Sequence, residues 1–467
     1  MTHYRILFSL LVAPLIFNAQ EQKIWDVYAN SFREGSLPRH AELGFKVASA
    51  DGRLLYDAKQ IKVVKLQPGS PAALAGLKEG DIILSINGQN FNTGILGSEL
   101  LNNLPGEKST NIRIVRDEKE LVISFVPLSS ALEDLSGVTT IYGSLFTDDD
   151  IELRTILTIP EKAQGKLPAV LVSDWTTCSS TEVPLKYQRG WVNFIRGIVQ
   201  TTGAIVLRVD KPGCGDSMGH CSELDFDETI AYQKKALKLL KQHPKVDTTN
   251  IFIDGESVGS FMAPLVAKGE NVKGIFVRAG GASTWFERML MFERLQRELL
   301  DQSIIEIDRD IKKITEFFHY YLIKAMPLDK IFELHPTMKD VWDNLISHNS
   351  ESKHYGRPIE FHQQAQKHDF ARAWIESGAR ALVLIGEYDQ YESIEASRLL
   401  VNAVNSVNMG FAQMNVYPST DHSFEIFDSH KSALHGYGGQ RKIENDLIGA
   451  EKPLQDVRNW MKSLYEQ

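Results

Sequence analysis

Cysteine is scarce in this chain: three residues of 467, at Cys178, Cys214 and Cys221. So small a number excludes a disulfide-built scaffold. An oxidising compartment would still permit one bridge, with one thiol left over. An excess of positive charge is also missing. Lys and Arg number 51 against 60 Asp and Glu, a net charge of -9. No basic run stands out either, so a nucleic-acid groove is not expected. Beyond the N-terminus no apolar run is long enough for a transmembrane helix. Internal repeats and long linkers are absent too. His319, His335, His354, His362 and His368 crowd one stretch without an H-E-x-x-H or comparable spacing, so no metal site is expected.

What is present begins with MTHYRILFSLLVAPLIFNAQEQ. Arg5 supplies a short positive start. Ile6 to Phe17 is apolar but too short to span a bilayer as a stable helix, and small and polar residues follow at Asn18, Ala19 and Gln20. The stretch reads as a secretory signal peptide over residues 1–20, although Phe17 is bulky for cleavage after Ala19. With no cysteine near that point, a lipid anchor is not expected. The implied location is periplasmic or secreted, with no transmembrane segment after signal removal. A composition of 43% hydrophobic and 24% charged residues is globular. The length suggests about two or three domains.

After a lead segment (residues 21–36), short β-type runs and turns follow. Leu43 to Val47 is one run, and Ile61 to Leu66 alternates like a half-buried strand. In QPGSPAALAGLKEGDIILSINGQ, Ser70 can cap a short helix that starts on Pro71, and Gly76 ends it. Asp81 to Ile86 is a strand, and Asn87-Gly88 signals a hairpin. Ser98 to Leu104 suits another short helix. Strands follow around Asn111 to Val115 and Glu120 to Phe125. This span, 37–128, resembles a PDZ domain, and GSPAALAGLKEGDIILSING is close to the bacterial form. The resemblance implies that a backbone loop holds a peptide's C-terminal carboxylate while the peptide adds a strand to an open edge. Leu43, Gly44 and Phe45 match that loop in character. A packing module with a closed groove is the alternative.

From 129 to 467 short apolar strands alternate with helices: Ile151–Ile159, Ala169–Ser173, Ala204–Val209, Ile251–Ile253, Ile275–Val277, Ala381–Ile385 and Ala412–Tyr417. That order predicts a doubly wound, mostly parallel sheet of α/β class. Between 284 and 379 no such strand appears. The stretch is helical and charged and reads as a cap inserted on the sheet. Phe317, Phe318, Tyr320 and Tyr321 within it have the spacing of core packing.

Gly255-Glu256-Ser257-Val258-Gly259 follows a buried-type strand and precedes a helical run. The two glycines leave room for a tight strand-to-helix turn that would expose Ser257. Pro264 removes one helical N–H shortly afterwards. A serine nucleophile needs a base, and the base an orienting acid. Asp389 sits just past one strand end, and Asp421-His422 follows the last strand. Taken with VLVSDW, RVDKPGCGDSMG, IDGESVGSF, LIGEYD and DHSF in that order, the region from about 135 to 467 resembles an α/β-hydrolase of the serine esterase and peptidase type.

The resemblance implies Ser257 as nucleophile, His422 as general base and Asp389 as acid. Glu387 is the second choice of acid, and His430 and His435 are less favoured bases. It also implies an oxyanion hole from the N–H of Val258 and a second donor near Ser173-Asp174-Trp175-Thr176. Trp175 is favoured, although this segment departs from the His-Gly usual there. The turn Asp210 to Gly215 would border the site. Cys178 and Cys221 fall in loops at the same end of the expected sheet and could form a disulfide.

The resulting expectation is a serine hydrolase that cleaves carboxylic esters through an acyl-enzyme. It would need no cofactor. Its partners would be a small-molecule ester or peptide substrate and a protein C-terminal peptide at the PDZ domain, with no nucleic acid. A serine peptidase fed by the PDZ domain and a non-catalytic PDZ-centred binding protein are the competing expectations.

Overall fold

The structure is a computed structural model. It describes residues 37–49, 60–90, 100–101, 103–162, 164–173, 175–183, 185, 189–346, 353–436 and 446–465. The expected signal peptide and lead segment lie outside these residues, as do Ser98, Glu99 and Asn102 of the short helix expected over Ser98 to Leu104.

The N-terminal unit holds β1 (Ala41–Glu42), β2 (Phe45–Ser49), β3 (Ile61–Leu66), α1 (Pro71–Leu74), β4 (Ile82–Ile86), β5 (Gln89–Asn90), β6 (Thr110–Arg116), β7 (Lys119–Phe125) and β8 (Leu128–Ser129). Its main sheet runs β2-β3-β4-β6-β7, which leaves β2 at an edge. Period-two burial explains the strands: Ile61 and Val63 point inward with Ile83, Ile112, Ile114 and Ile123, while the intervening Lys62 and Val64 are exposed. Ser70 caps α1, accepting from Ala73 N. Asn87 and Gly88 both take positive φ, as a two-residue hairpin turn of this hand requires.

The second unit begins with β9 (Val138–Phe146), β10 (Glu152–Pro160) and β11 (Leu167–Ser173). It continues with α2 (Gly190–Thr202), β12 (Ile205–Val209), α3 (Phe226–Gln242), β13 (Val246–Glu256), α4 (Gly259–Ala267) and β14 (Gly274–Arg278). The inserted stretch carries α5 (Trp285–Leu299), α6 (Ile304–Phe318), α7 (Leu328–Leu334), α8 (Thr337–Val341), β15 (Lys353–His354), β16 (Arg357–Pro358), α9 (Ile359–Lys367) and α10 (Phe370–Ser377). The chain then closes with β17 (Arg380–Gly386), α11 (Ile394–Val407), β18 (Ala412–Tyr417), α12 (His430–Gly436) and α13 (Asp446–Tyr465). Among the described residues no helix is long and apolar enough to cross a membrane.

Eight strands form one sheet in the order β18-β17-β14-β13-β11-β12-β10-β9. All neighbours are parallel except β10, which runs antiparallel to both β9 and β12. The inner strands of the sheet are buried on both faces, so they are largely apolar rather than alternating. Val170, Val206, Phe252, Phe276 and Leu382 face one layer with α2 and α13 residues such as Phe194 and Trp460. Leu171, Ile253, Ile275 and Val383 face the other with Phe261, Trp285 and Phe370.

The expected helical cap needs two adjustments. β15 and β16 form a short antiparallel pair within it. The last helix, α10, belongs to the sheet-covering layer: Phe370 lies 4.9 Å from Phe261 of α4, ring to ring, and Trp374 is fully buried. Phe317, Phe318 and Tyr321 are also fully buried in the core, as their spacing predicts.

The two units are tied by a buried ion cluster. Arg39 binds Glu182 at 2.9 Å and Asp216 at 2.6 Å, and Nδ1 of His40 lies 2.7 Å from Asp216. Arg154 adds a second guanidinium to Asp216 at 3.0 Å. Burial alone would raise the Asp216 carboxyl. Hydrogen bonds from His40 and the charge of Arg39 reverse this and hold it well below the usual range. His40, Glu182 and Asp216 cluster closely enough for a cation, but the two guanidinium groups already occupy these carboxylates.

Candidate active site

β13 ends at Glu256, and the chain turns through Ser257 into α4. Ser257 has φ 54°, a left-handed conformation that is uncommon for serine. The turn is so tight that a Cβ on Gly255 would sit 2.8 Å from the carbonyl oxygen of Gly259. Glycine at 255 is therefore a steric requirement. Ser257 N donates to Arg278 O at 3.0 Å, and Ser257 O accepts from Ser260 N and from its hydroxyl. These bonds hold the strained residue in place. Val258 stands at the head of α4, where N–H groups lack intrahelical acceptors. The helix runs through Pro264 to Ala267.

A buried ion triplet underpins the elbow. Arg278, at the end of β14, binds Asp254 at 3.0 Å and Glu256 at 2.9 Å. Sequence reading passed over it. A charge at the same end of two neighbouring apolar strands is the signal that could have found it.

β17 ends at Gly386, and the turn after it carries Asp389, which is 2% exposed. Its Oδ1 accepts from the N–H groups of Tyr391 and Glu392, each at 2.8 Å. His422 comes from the loop after β18. Its Nδ1 lies 2.8 Å from Oδ2 and 3.0 Å from Oδ1 of Asp389. With Nδ1–H donating there, the neutral ring keeps Nε2 as an acceptor. Burial disfavours the charged ring, but the charge and hydrogen bonds of Asp389, with Glu256 and Glu392 nearby, outweigh it and push His422 up to about 9.

Ser257 and His422 line one cavity of about 350 Å³. Parallel pairing places Ser173 opposite Gly255, so Trp175 and Ser257 emerge at the same end of the sheet. Trp175 lines the cavity and its Nε1 donates to Ser179 Oγ at 2.9 Å. The cap contributes Trp285, Met289, Phe292 and Tyr355 to the wall, plus Arg288. Arg288 binds Glu392 beside the Asp389 turn, at 2.7 Å from its Nε. These cap residues were not singled out from sequence, because lining a cavity leaves no mark in helical spacing, and Trp285 and Met289 also pack in the core.

The other sequence candidates lie elsewhere. Glu387 is exposed and accepts from Ser419 N at 2.9 Å. His430 Nε2 lies 2.7 Å from the Asp389 carbonyl and is not on the cavity wall. The side chain of His435 is outside the described residues. Asp210 in the turn after β12 receives Ser180 Oγ at 2.6 Å and Thr181 N at 2.6 Å, so the turn holds the loop beside the cavity. Cys178 and Cys221 form a disulfide closing 43 residues. Cys214 is buried beside it and is not bridged. Leu43, Gly44 and Phe45 border a second groove, of about 730 Å³.

The strand order, the single antiparallel reversal at β10, the elbow and the inserted helices together define the α/β-hydrolase fold. The described residues thus form a doubly wound, mostly parallel sheet of that fold with inserted helices, preceded by a small β-rich unit. A PDZ domain family model matches residues 35–94. No curated protein matches the chain. Among solved structures the chain is similar to hypothetical protein PA2218 from Pseudomonas aeruginosa, at 12% identity over 72% of this chain and 96% of that one, TM-score 0.43. It is also similar to the Pyrococcus furiosus esterase Pf2001 (11% identity, 72% and 95% coverage, TM-score 0.40). A third is carboxyl esterase 2 from the mycorrhizal fungus Tuber melanosporum (13%, 72% and 89%, TM-score 0.40).

Proposed function

We propose that this protein is a serine hydrolase that cleaves carboxylic esters. The observation that carries this is the buried His422–Asp389 pair opening onto the same cavity as Ser257, which sits on a positive-φ elbow. In this reading Ser257 Oγ attacks the ester carbonyl while His422 Nε2 takes its proton. The oxyanion binds the N–H groups of Val258 and Trp175. His422 then protonates the departing alcohol, leaving an acyl-Ser257. Water attacks next, giving its proton to His422, and the acid leaves as Ser257 regains a proton. Asp389 orients the ring and stabilises its charged form.

The cavity favours esters over polypeptide chains. It is of small-molecule size, and the cap residues Trp285, Phe292 and Tyr355 stand over it. A protein C-terminal peptide would instead bind at the PDZ groove. The N-terminal signal-like sequence and the Cys178–Cys221 bridge both favour an exported, oxidising location.

Fluorophosphonate labelling with peptide mapping of the adduct tests the nucleophile. Labelling at Ser257 that disappears in Ser257→Ala is the expected result. A well-folded wild type that takes no label would overturn the reading in favour of a non-catalytic, PDZ-centred binding protein.

A further inference from the structure

The PDZ loop and the hydrolase cavity meet at one segment. The groove of about 730 Å³ along Leu43, Gly44 and Phe45 has Leu101 on the PDZ side and Val183 and Trp191 of the hydrolase domain on the other. Trp191 and Ser179 also line the cavity of Ser257 and His422. Ser179 and Trp191 thus wall both. The chain beside Ser179 is pinned by the Cys178–Cys221 bridge, by Asp210, and by Glu182, which takes Arg39 and the Tyr142 hydroxyl.

We infer that a chain end held in the PDZ groove also rests on Val183 and Trp191 of the second unit, and that its occupancy changes ester turnover through Trp191 and Ser179. The second half rests on the serine-hydrolase reading. Three observations favour a chain end as occupant. First, among the described residues β2 is an edge strand whose one partner in its sheet is β3, so a further strand can join it. Second, Gly44 holds a positive φ, and a Cβ there would meet Ser70 Cβ at 2.4 Å. Among the described residues no acceptor meets the N–H of Leu43 or Gly44, so this loop is built to hold an anion. Third, Lys65 borders the groove, and of the two acids there, Glu42 and Glu182, Glu182 is already bound by Arg39.

The route to the reacting atoms is short. Trp191 is half-buried and meets Trp175 edge-on at 5.4 Å. Trp175 in turn donates to Ser179, and its backbone N–H is the second oxyanion donor in the reading above. A ligand residue seated on Trp191 therefore presses on the segment that shapes the oxyanion hole.

The test uses the full chain and fluorescein-labelled decapeptide pools ending in Val, Leu, Ile or Phe, as free acids and as C-terminal amides. The free-acid pool is expected to bind and the amide pool is not. Trp191→Ala and Val183→Asp, both checked for folding by circular dichroism, are expected to weaken binding about fivefold or more. Saturating free-acid peptide is expected to change kcat/KM for p-nitrophenyl butyrate by about fivefold. Failure of the free-acid pool to bind would overturn the inference. So would unchanged affinity in both folded variants, or turnover indifferent to bound peptide. The binding measurements need no chemistry. A protein that turns over no ester would therefore fail the serine-hydrolase reading while the two variants still decide whether the groove is shared.

Discussion

Nδ1 of His40 lies 2.7 Å from Asp216, and Nδ1 of His422 lies 2.8 Å from Asp389. The two pairs have the same local chemistry and different surroundings. Arg39 and Arg154 both bind Asp216, so its charge is spent on joining the PDZ and hydrolase domains. Asp389 instead takes two backbone N–H groups. Those dipoles orient the carboxylate without cancelling it, and its charge is left to act on His422. A histidine–aspartate pair becomes a latch when cations saturate the acid. In the proposed mechanism it becomes a proton-handling pair, because the acid is only oriented and the ring opens on a cavity.

Breaking the two pairs separately should give opposite signatures. The largest effect is expected from removing Ser257, the proposed nucleophile, which lines the cavity of the second pair. Ser257→Ala should lower kcat for a small ester by about 10⁴-fold or more, read by p-nitrophenyl ester hydrolysis. Asp389→Asn should come next, at about 10³- to 10⁴-fold, because the ring loses its orienting acceptor. Asp216→Asn should instead cost stability, about 3 kcal/mol by analogy with broken buried ion pairs, measured by urea unfolding.

The pH responses sharpen the contrast. His422 must be neutral to accept the serine proton, and its pKa is raised. Activity should therefore fall as pH drops through a value above the ordinary imidazole range of about 6.5. Asp389→Asn should move that acidic limb to lower pH, and an unmoved limb would rule out this pair as the titrating one. Asp216 is depressed in the folded state. Its contribution to stability is present above its unfolded pKa of about 3.9 and is lost as pH falls toward the folded value. Stability of Asp216→Asn should lack that acid-sensitive part. The smallest effect is expected at the exposed Glu387: Glu387→Gln should change kcat by less than about twofold, since it holds only the Ser419 N–H.

Much of this was legible in residue order. Apolar runs marked β10 to β14, β17 and β18. The β9 strand escaped notice because VTTIYGSLF mixes polar and small residues where it lies at the sheet edge. GESVG between a strand and a helical run marked the tight turn at Ser257, and Asp389 and His422 were marked only as residues past two strand ends. Two charge clusters were not legible. Arg39 and Asp216 are 177 residues apart, and Asp254 and Arg278 come from neighbouring strands. Nothing in local spacing distinguishes Arg39 and Asp216 from solvated charges, and the only mark of Asp254 and Arg278 is a charge at the end of each apolar strand.

What the sequence determined by itself is whatever depends on nearest neighbours along the chain. This covers the strand and helix periods, the glycine demanded by the tight turn before Ser257, the cap of α1 by Ser70, and the PDZ run around Asn87-Gly88. Only the tertiary structure decided which acid meets His422, which cysteine meets Cys178, and that Trp191 faces two cavities. Those outcomes depend on strand order and on how the two domains dock. They are set by packing between segments far apart in the chain, where side-chain type is known in advance but direction is not.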